Sequence, residues 1–120
     1  MSIGNMLRMP EHSHKITKEE KEKAYRLFFG TLTSRIRLDI INCLRKGPKT
    51  VSDLQEENDL EQTVVSHNLR RLERCGFVRS EKEGKFRVYS LNKKTIENLM
   101  KIIDAHMAEY CVHIISGRRR

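Results

Sequence analysis

A chain of 120 residues, 38% hydrophobic and 33% charged, is long enough for one folded domain with a modest core. No apolar run approaches membrane-spanning length and no secretory leader pattern follows Met1, so a cytoplasmic protein without a membrane partner is expected. The formal net charge of +8 favours a polyanionic partner, and nucleic acid fits best. Its three cysteines are odd in number and widely spaced, which argues against a disulfide framework.

The N-terminal part is predicted to be an arm followed by an outer helix. Residues 1–16 lack helical periodicity, so they are predicted to be a flexible arm. Thr17 and Glu20 have capping-box spacing at the start of the first helix, which is expected to end at Gly30. The apolar end of this helix is predicted to lie in a dimer interface.

A second helix follows, with Ser34 as its candidate cap. Leu38, Ile41 and Leu44 form one stripe, which predicts the central core element. The pair Gly47-Pro48 is expected to end it, because proline cannot continue the hydrogen bonding.

The next two helices form a helix-turn-helix pattern. Thr50 and Asp53 have capping-box spacing, and Asn58-Asp59 is a turn pair. In the helix that follows, a stripe of apolar residues at helical spacing would face the core, and a glycine ends the helix with a left-handed cap. The stripe is Val65, Leu69 and Leu72, and the glycine is Gly76.

A β-hairpin completes the unit. Phe77-Val78 begins one strand, Glu83-Gly84 makes the turn, and 86–91 returns as the second strand. The predicted fold is mainly α with a small β-hairpin, in the order α-α-α-α-β-β-α. This is a winged helix-turn-helix, which places its second helix in the DNA major groove.

The candidate DNA-binding residues lie on the face opposite the core stripe and around the hairpin. Gln62 suits adenine, and Arg70 suits guanine or a phosphate. The basic residues of the hairpin are expected to neutralise phosphates. The full candidate set is Lys49, Gln62, Thr63, Ser66, His67, Arg70, Lys82, Lys85 and Arg87.

The last helix carries a long apolar stripe after its cap, Asn92. A winged-helix domain of this size has little core left to cover such a stripe, so pairing with a second copy is expected; folding back on its own domain is the alternative. The predicted homodimer interface, through the terminal helices, is Leu27, Phe28, Ile96, Leu99, Met100, Ile103, Met107, Tyr110 and Ile114. The predicted DNA-binding and dimerisation domain therefore spans 17–117, closed by Gly117, with 118–120 as a basic tail.

From Arg37 to Leu91 the chain resembles the ArsR/SmtB-type transcriptional regulators. The segment 60–72 resembles that family's recognition-helix pattern, and 73–78 resembles its exit into the wing. The resemblance implies a homodimer that represses transcription from a palindromic operator and is released by a ligand or a covalent change.

The family resemblance also implies a candidate metal site. Many metal-responsive members carry Cys-x-Cys on the helix before the recognition helix, but 51–55 contains no thiol. Other members combine Asp-x-His with two later ligands. Asp104-Ala105-His106 matches the first half, whereas the second half falls on Gly117 and Arg120. Cys111 and His113 are candidates for the missing ligands, beside Asp104 and His106. Two interpretations stay open: these residues form a zinc or nickel site, or the histidines lie in the dimer interface and only make hydrogen bonds there.

Several functions compete at this stage. An enzyme is not expected, because there is no glycine-rich phosphate loop and no nucleophile with a base at a known spacing. A sequence-specific repressor is favoured, and a non-sequence-specific architectural DNA-binding protein is the main alternative. A protein-interaction module would instead expose apolar or acidic residues on the second helix of the motif.

Overall fold

The computed structural model describes residues 15–117. Most of the predicted arm (1–16) and the basic tail (118–120) lie outside the described residues. The chain divides into two units, Met1–Gly30 and Thr31–Arg120, and each is considered by itself. No helix within 15–117 is both long and apolar enough to cross a membrane.

The first helix, α1 (Lys18–Leu32), begins with the predicted capping box. The amide of Glu20 donates to Thr17 Oγ1 at 3.0 Å, and the amide of Thr17 donates to Glu20 Oε1 at 3.1 Å. The predicted end at Gly30 is wrong, since the helix continues to Leu32. An interior glycine costs a helix only about 1 kcal/mol, so it does not end a helix by itself.

Three further helices form the second unit's helical layer. They are α2 (Arg35–Leu44), α3 (Val51–Asn58) and α4 (Gln62–Arg74). Ser34 caps α2 by accepting from the amide of Arg37, and Thr50 and Asp53 form the predicted capping box of α3. The turn before α4 contains Asp59, the one described non-glycine residue with positive φ, at 55°. Asn and Asp tolerate this left-handed conformation better than most residues.

The sheet has one strand more than the sequence predicts. Strands β2 (Val78–Glu83) and β3 (Phe86–Leu91) form the expected hairpin, with Gly84 at φ 62° in the turn. A two-residue strand, β1 (Lys49–Thr50), pairs antiparallel with β3, which gives the strand order β1-β3-β2. Two residues are too few to show an alternating pattern, so β1 follows only from tertiary pairing.

The C-terminal helix, α5 (residues 93–115), contains two π-helical segments, Lys93–Glu97 and Met107–Cys111. The α-helical parts are Asn98–His106 and Val112–Ile115. Asn92 caps the start, because its Oδ1 accepts from the amides of Lys94 and Thr95 at 3.1 and 3.3 Å.

The core of the second unit confirms the predicted mainly α winged helix-turn-helix architecture. Ile40 and Ile41 of α2, Leu54 of α3 and Phe77 before β2 are all fully buried. The stripe of α4 packs against them. The start of α5 also packs into this core. Two residues that were predicted to lie in the dimer interface, Ile96 and Met100, are there only 4% exposed. Their side chains therefore pack inside their own chain, and their contact with a second copy stays a prediction.

Candidate nucleic-acid interface

Helix α4 separates an apolar face from a polar one. Val65, Leu69 and Leu72 are at most 1% exposed. The predicted DNA-binding residues of this helix lie on its other side, where Ser66 is half-buried and Gln62, Thr63, His67 and Arg70 are exposed. The helix therefore presents hydrogen-bonding side chains to solvent, with Arg70 adding a positive charge.

A group of polar side chains fixes α4 from beneath. Asn68 is 8% exposed; its Nδ2 donates to the carbonyl of Val64 at 2.8 Å, and its Oδ1 accepts from Arg37 Nη1 at 3.1 Å. Arg37 Nε donates to the carbonyl of Thr31 at 2.9 Å, and Arg71 donates to the Thr31 hydroxyl from Nε and Nη2 at 3.2 and 3.0 Å. We call Thr31, Arg37, Asn68 and Arg71 the arginine brace.

The arginine brace places two positive charges close together in a partly buried site. Burial lowers the pKa of Arg37, and the neighbouring positive charge of Arg71 lowers it further. An arginine stays protonated despite such a shift. The charged hydrogen bonds from Arg37 to Thr31 and Asn68 thus fix α4 relative to α2. Sequence analysis missed this role; its only signal was a polar residue, Asn68, directly beside the apolar stripe.

The hairpin has a basic face near its tip. Lys82 lies opposite Arg87 in the antiparallel register, so both side chains share one face of the sheet. Glu81 and Glu83 alternate with Lys82 and so point to the other face. Lys82 and Arg87 are exposed, as is Lys85 in the turn. Two of the predicted phosphate-binding cations therefore share one face of the hairpin, and the third lies in its turn.

The guanidinium of Arg87 is already positioned by its neighbours. Its Nη1 donates to Ser80 Oγ at 3.2 Å, and that hydroxyl donates to Glu73 Oε2 of α4 at 3.0 Å. This chain of hydrogen bonds links the hairpin to the end of α4, so the two parts of the interface are held in a defined relation.

Lys49 differs from the other candidates, because its ammonium is engaged in an ion pair. Its Nζ donates to Glu57 Oε2 at 2.8 Å, and its side chain is only 20% exposed. The hydrogen bond between them raises the pKa of Lys49 and lowers that of Glu57. Lys49 thus ties β1 to α3, and a DNA phosphate would have to compete with Glu57 for it.

The candidate metal ligands are not brought together in one chain. Asp104 Oδ2 accepts from Arg45 Nη2 at 2.5 Å, and this bond lowers the pKa of Asp104. His106 stacks at a tilt on Tyr110, with 4.8 Å between ring centroids. Across residues 15–117, no three His, Cys, Asp or Glu side chains gather to hold a metal ion. A single protomer therefore does not fit zinc or nickel, and no metal enters the mechanism proposed below.

The remaining predicted dimer residues leave apolar surface exposed. Phe28 on α1, and Leu99 and Ile103 on α5, are half-buried. Leu27 on α1 and Met107, Tyr110 and Ile114 on α5 are between 41% and 59% exposed. The structure adds three exposed apolar residues of α5 that the sequence analysis did not name: Ile102, Val112 and Ile115.

Two helices joined by a tight turn, an exposed polar face on the second helix and a basic hairpin beside it define the winged helix-turn-helix class of DNA-binding proteins. A family model described as "Bacterial regulatory protein, arsR family" matches residues 34–80. The chain belongs to the arsR family. This confirms the resemblance noted in the sequence.

Curated relatives support the same family. The chain is 41% identical over 69 residues to the HTH-type transcriptional regulator NmtR of Mycobacterium tuberculosis (strain ATCC 25618 / H37Rv), a match that covers 58% of each protein. It is 32% identical over 89 residues to the uncharacterized HTH-type transcriptional regulator MJ1325 of Methanocaldococcus jannaschii, covering 72% of this chain and 97% of that protein. Both relatives are described as transcriptional regulators, in agreement with the expectation that the chain is not an enzyme.

A solved structure shows the same fold. The homodimeric winged helix-turn-helix DNA-binding domain of Mb0332 from Mycobacterium bovis, a possible ArsR-family transcriptional regulator, superposes with a TM-score of 0.74 at 20% identity. The superposition covers 85% of this chain and 94% of that one.

Proposed function

We propose that this arsR-family protein is a homodimeric, sequence-specific repressor that binds a palindromic operator in double-stranded DNA in the cytoplasm. The observation that carries the proposal is the outward face of α4. Its polar side chains are free for bases, while its apolar stripe is buried within the same chain.

In this proposal α4 enters the major groove and reads bases from its first turns. Gln62 donates to and accepts from an adenine, and Arg70 donates to a guanine or to a phosphate. Thr63, Ser66 and His67 add hydrogen bonds to base edges or backbone oxygens. The arginine brace keeps this face at a fixed rotation, which base-specific hydrogen bonds require.

The hairpin provides binding energy that does not depend on sequence. Lys82, Lys85 and Arg87 lie on or beside its basic face and are proposed to pair with phosphates. Lys49 is proposed to join them at the start of α3, where phosphate oxygens can displace the Glu57 carboxylate. Such contacts position α4 in the groove and make binding fall with salt.

The second copy is proposed to cover the exposed apolar stripe of α5, together with the exposed end of α1. A two-fold dimer presents two α4 helices about 34 Å apart, one DNA turn, so each half of an inverted repeat meets one helix. Occupancy of such an operator within a promoter excludes the transcription machinery, which is repression.

Selection of bound duplexes from a random pool tests the proposal. The purified protein should enrich an inverted repeat whose half-sites are about 10 base pairs apart. Transcription in vitro from a promoter that carries this repeat should decrease when the protein is added. Repeating the selection with zinc, and separately with a thiol oxidant, would identify a signal that releases the protein.

Two outcomes would overturn the proposal. Binding of duplexes without enrichment of any sequence would identify an architectural DNA-binding protein. Failure to bind any duplex at low salt would remove DNA as the partner. The control is Arg35→Ala, an exposed arginine of α2 outside the candidate interface, which should select the same repeat as the wild type.

A further inference from the structure

A cavity of about 730 Å³ lies at the base of the hairpin, where the end of α2, the start of β2, the end of β3 and the first turn of α5 meet. We call it the hairpin-base cavity. Leu44, Val78 and Leu91 line it and are at most 5% exposed, so they form an apolar floor. Its volume falls within the range of about 300–1,000 Å³ that is usual for small-molecule sites.

The rim of this cavity is strongly basic. Lys46, Arg79, Lys93 and Lys94 line it, against the single lining carboxylate of Glu97. All four cations are exposed. None of their side chains makes a hydrogen bond or an ion pair with another of residues 15–117. The cavity therefore carries an excess of positive charge that residues 15–117 do not pair, apart from the longer-range attraction between Lys46 and Glu57.

Hydrogen bonds hold the walls of the cavity in place. Asn92 Nδ2 donates to the carbonyl of Gly76 at 2.9 Å, and its amide donates to the carbonyl of Phe77 at 2.9 Å, which fixes the start of α5 to the start of β2. The Arg45–Asp104 ion pair links the end of α2 to α5. A ligand would thus meet a largely preformed site and lose little free energy in ordering it.

The cavity lies apart from the basic tip of the hairpin, although Pro48 in its lining adjoins Lys49 in the sequence. Along the hairpin the cavity reaches the pair Arg79 and Ser90, and the pair Lys82 and Arg87 lies three residue steps further toward the turn. Three residue steps along a strand span about 10 Å. A phosphate held by Lys82 or Arg87 therefore lies outside the cavity.

We propose that the hairpin-base cavity binds a small organic polyanion, a molecule with at least two carboxylate or phosphate groups on a short carbon skeleton. The anionic groups pair with Arg79, Lys93 and Lys94, and the skeleton rests on the apolar floor. Bound there, the ligand touches both the hairpin and α5, the two elements through which the proposed regulator contacts DNA and its second copy. This regulatory consequence rests on the proposed function, but the binding does not.

Chemical-shift mapping of the full-length protein tests the binding site without any substitution. Citrate or pyrophosphate, titrated at low ionic strength, should shift the amide signals of Gly76 and Asn92 at the cavity in a saturable way. The amide of Gly84, in the hairpin turn, should not move. A duplex oligonucleotide should show the reverse pattern. Shifts of Gly76 and Asn92 by the duplex but not by citrate would assign the rim to DNA phosphates and overturn the proposal.

A matched pair of variants tests the charges. Arg79→Gln/Lys94→Gln removes two rim cations, and Arg35→Gln/Lys101→Gln removes two exposed cations that lie outside both the cavity and the proposed DNA interface. By calorimetry, the rim variant should bind citrate about tenfold more weakly than wild type, because charge-assisted contacts are lost. The control variant should bind like wild type. Equal weakening in both variants would show attraction to overall charge alone, and no saturable heat from wild type would exclude the site.

Discussion

Helices α4 and α5 are both amphipathic, but only α4 buries its whole apolar stripe within the protomer. Val65, Leu69 and Leu72 of α4 are at most 1% exposed. In α5, Ile96 and Met100 are buried, whereas Met107, Tyr110 and Ile114 further along are 41–59% exposed. The same pattern in the sequence therefore has two structural outcomes, and the difference lies in how much of each stripe the chain itself covers.

The difference assigns separate tasks to the two helices. Because the core of α4 is complete, its polar face can recognise DNA without first needing another protein surface. The second half of α5 leaves large apolar side chains in water, and burying each one fully is worth about 1.5–3 kcal/mol. A second copy covering this stripe would gain that free energy, so α5 is the element on which the proposed pairing depends.

The largest expected effect comes from charging the exposed half of α5. Met107→Glu/Ile114→Glu should separate the proposed dimer, because two carboxylates per chain would be buried in an apolar interface. Operator affinity should fall about a hundredfold, since each half-site would bind independently. Light scattering measures the mass, and circular dichroism should still show a folded protomer anchored by Ile96 and Met100.

The matched control adds the same charges elsewhere on the helix. Thr95→Glu/Asn98→Glu changes exposed polar residues of α5 and should leave the mass unchanged. If Met107→Glu/Ile114→Glu has the same mass in solution as the wild type, the exposed apolar residues of α5 are not the surface through which two copies pair.

The next effect concerns the polar face of α4. Arg70→Ala should weaken operator binding by about 1–3 kcal/mol and relax base preference at one position of each half-site, with thermal stability unchanged. Fluorescence anisotropy with operator and mutated duplexes measures both quantities. The control Arg35→Ala should bind as wild type; equal affinities for Arg70→Ala and wild type would place Arg70 outside the interface.

Local signals explain why so much of this fold is predictable from the sequence. The capping boxes at Thr17 and Thr50 and the left-handed glycine Gly76, at φ 78°, depend on residues within four positions of each other. The helical stripe of α4 is equally local. These features fix the order and type of the elements, and the family resemblance adds their arrangement.

Features that depend on tertiary contacts were not predicted. The periodicity of α5 contains nothing that separates Ile96 and Met100, which enter the core, from Met107 and Ile114, which do not. The arginine brace joins Thr31 to α2 and α4 through residues up to 40 positions apart, and the hairpin-base cavity forms only where four elements meet. The outer face of α4 could be predicted from the sequence, because it consists of the residues opposite the apolar stripe, and that stripe is visible in the local spacing of apolar residues.

A smaller effect is expected at the hairpin. Lys85→Ala should weaken binding to every duplex sequence by a similar few-fold factor, because a phosphate contact carries no base information. The slope of log affinity against log salt concentration should decrease by about one. Titrations at several salt concentrations measure this, with Lys101→Ala as the control. A loss confined to the operator would contradict a phosphate-only role.

The smallest effect concerns how the buried half of α5 is anchored. Because the hydrogen bond from Arg45 lowers the pKa of Asp104 below its ordinary 3.8, the ion pair stabilises the folded state above that pH. The stabilisation is lost as the pH falls through the lowered pKa. Asp104→Asn should therefore unfold at slightly lower urea concentration than wild type at neutral pH, and the difference should vanish in strong acid. Asp39→Asn, which alters an exposed pair 3.9 Å from Arg35, should show little difference at either pH. A gap between Asp104→Asn and wild type that persists in acid would mean that the substitution perturbs packing, and that the start of α5 is held by Ile96 and Met100 without help from the ion pair.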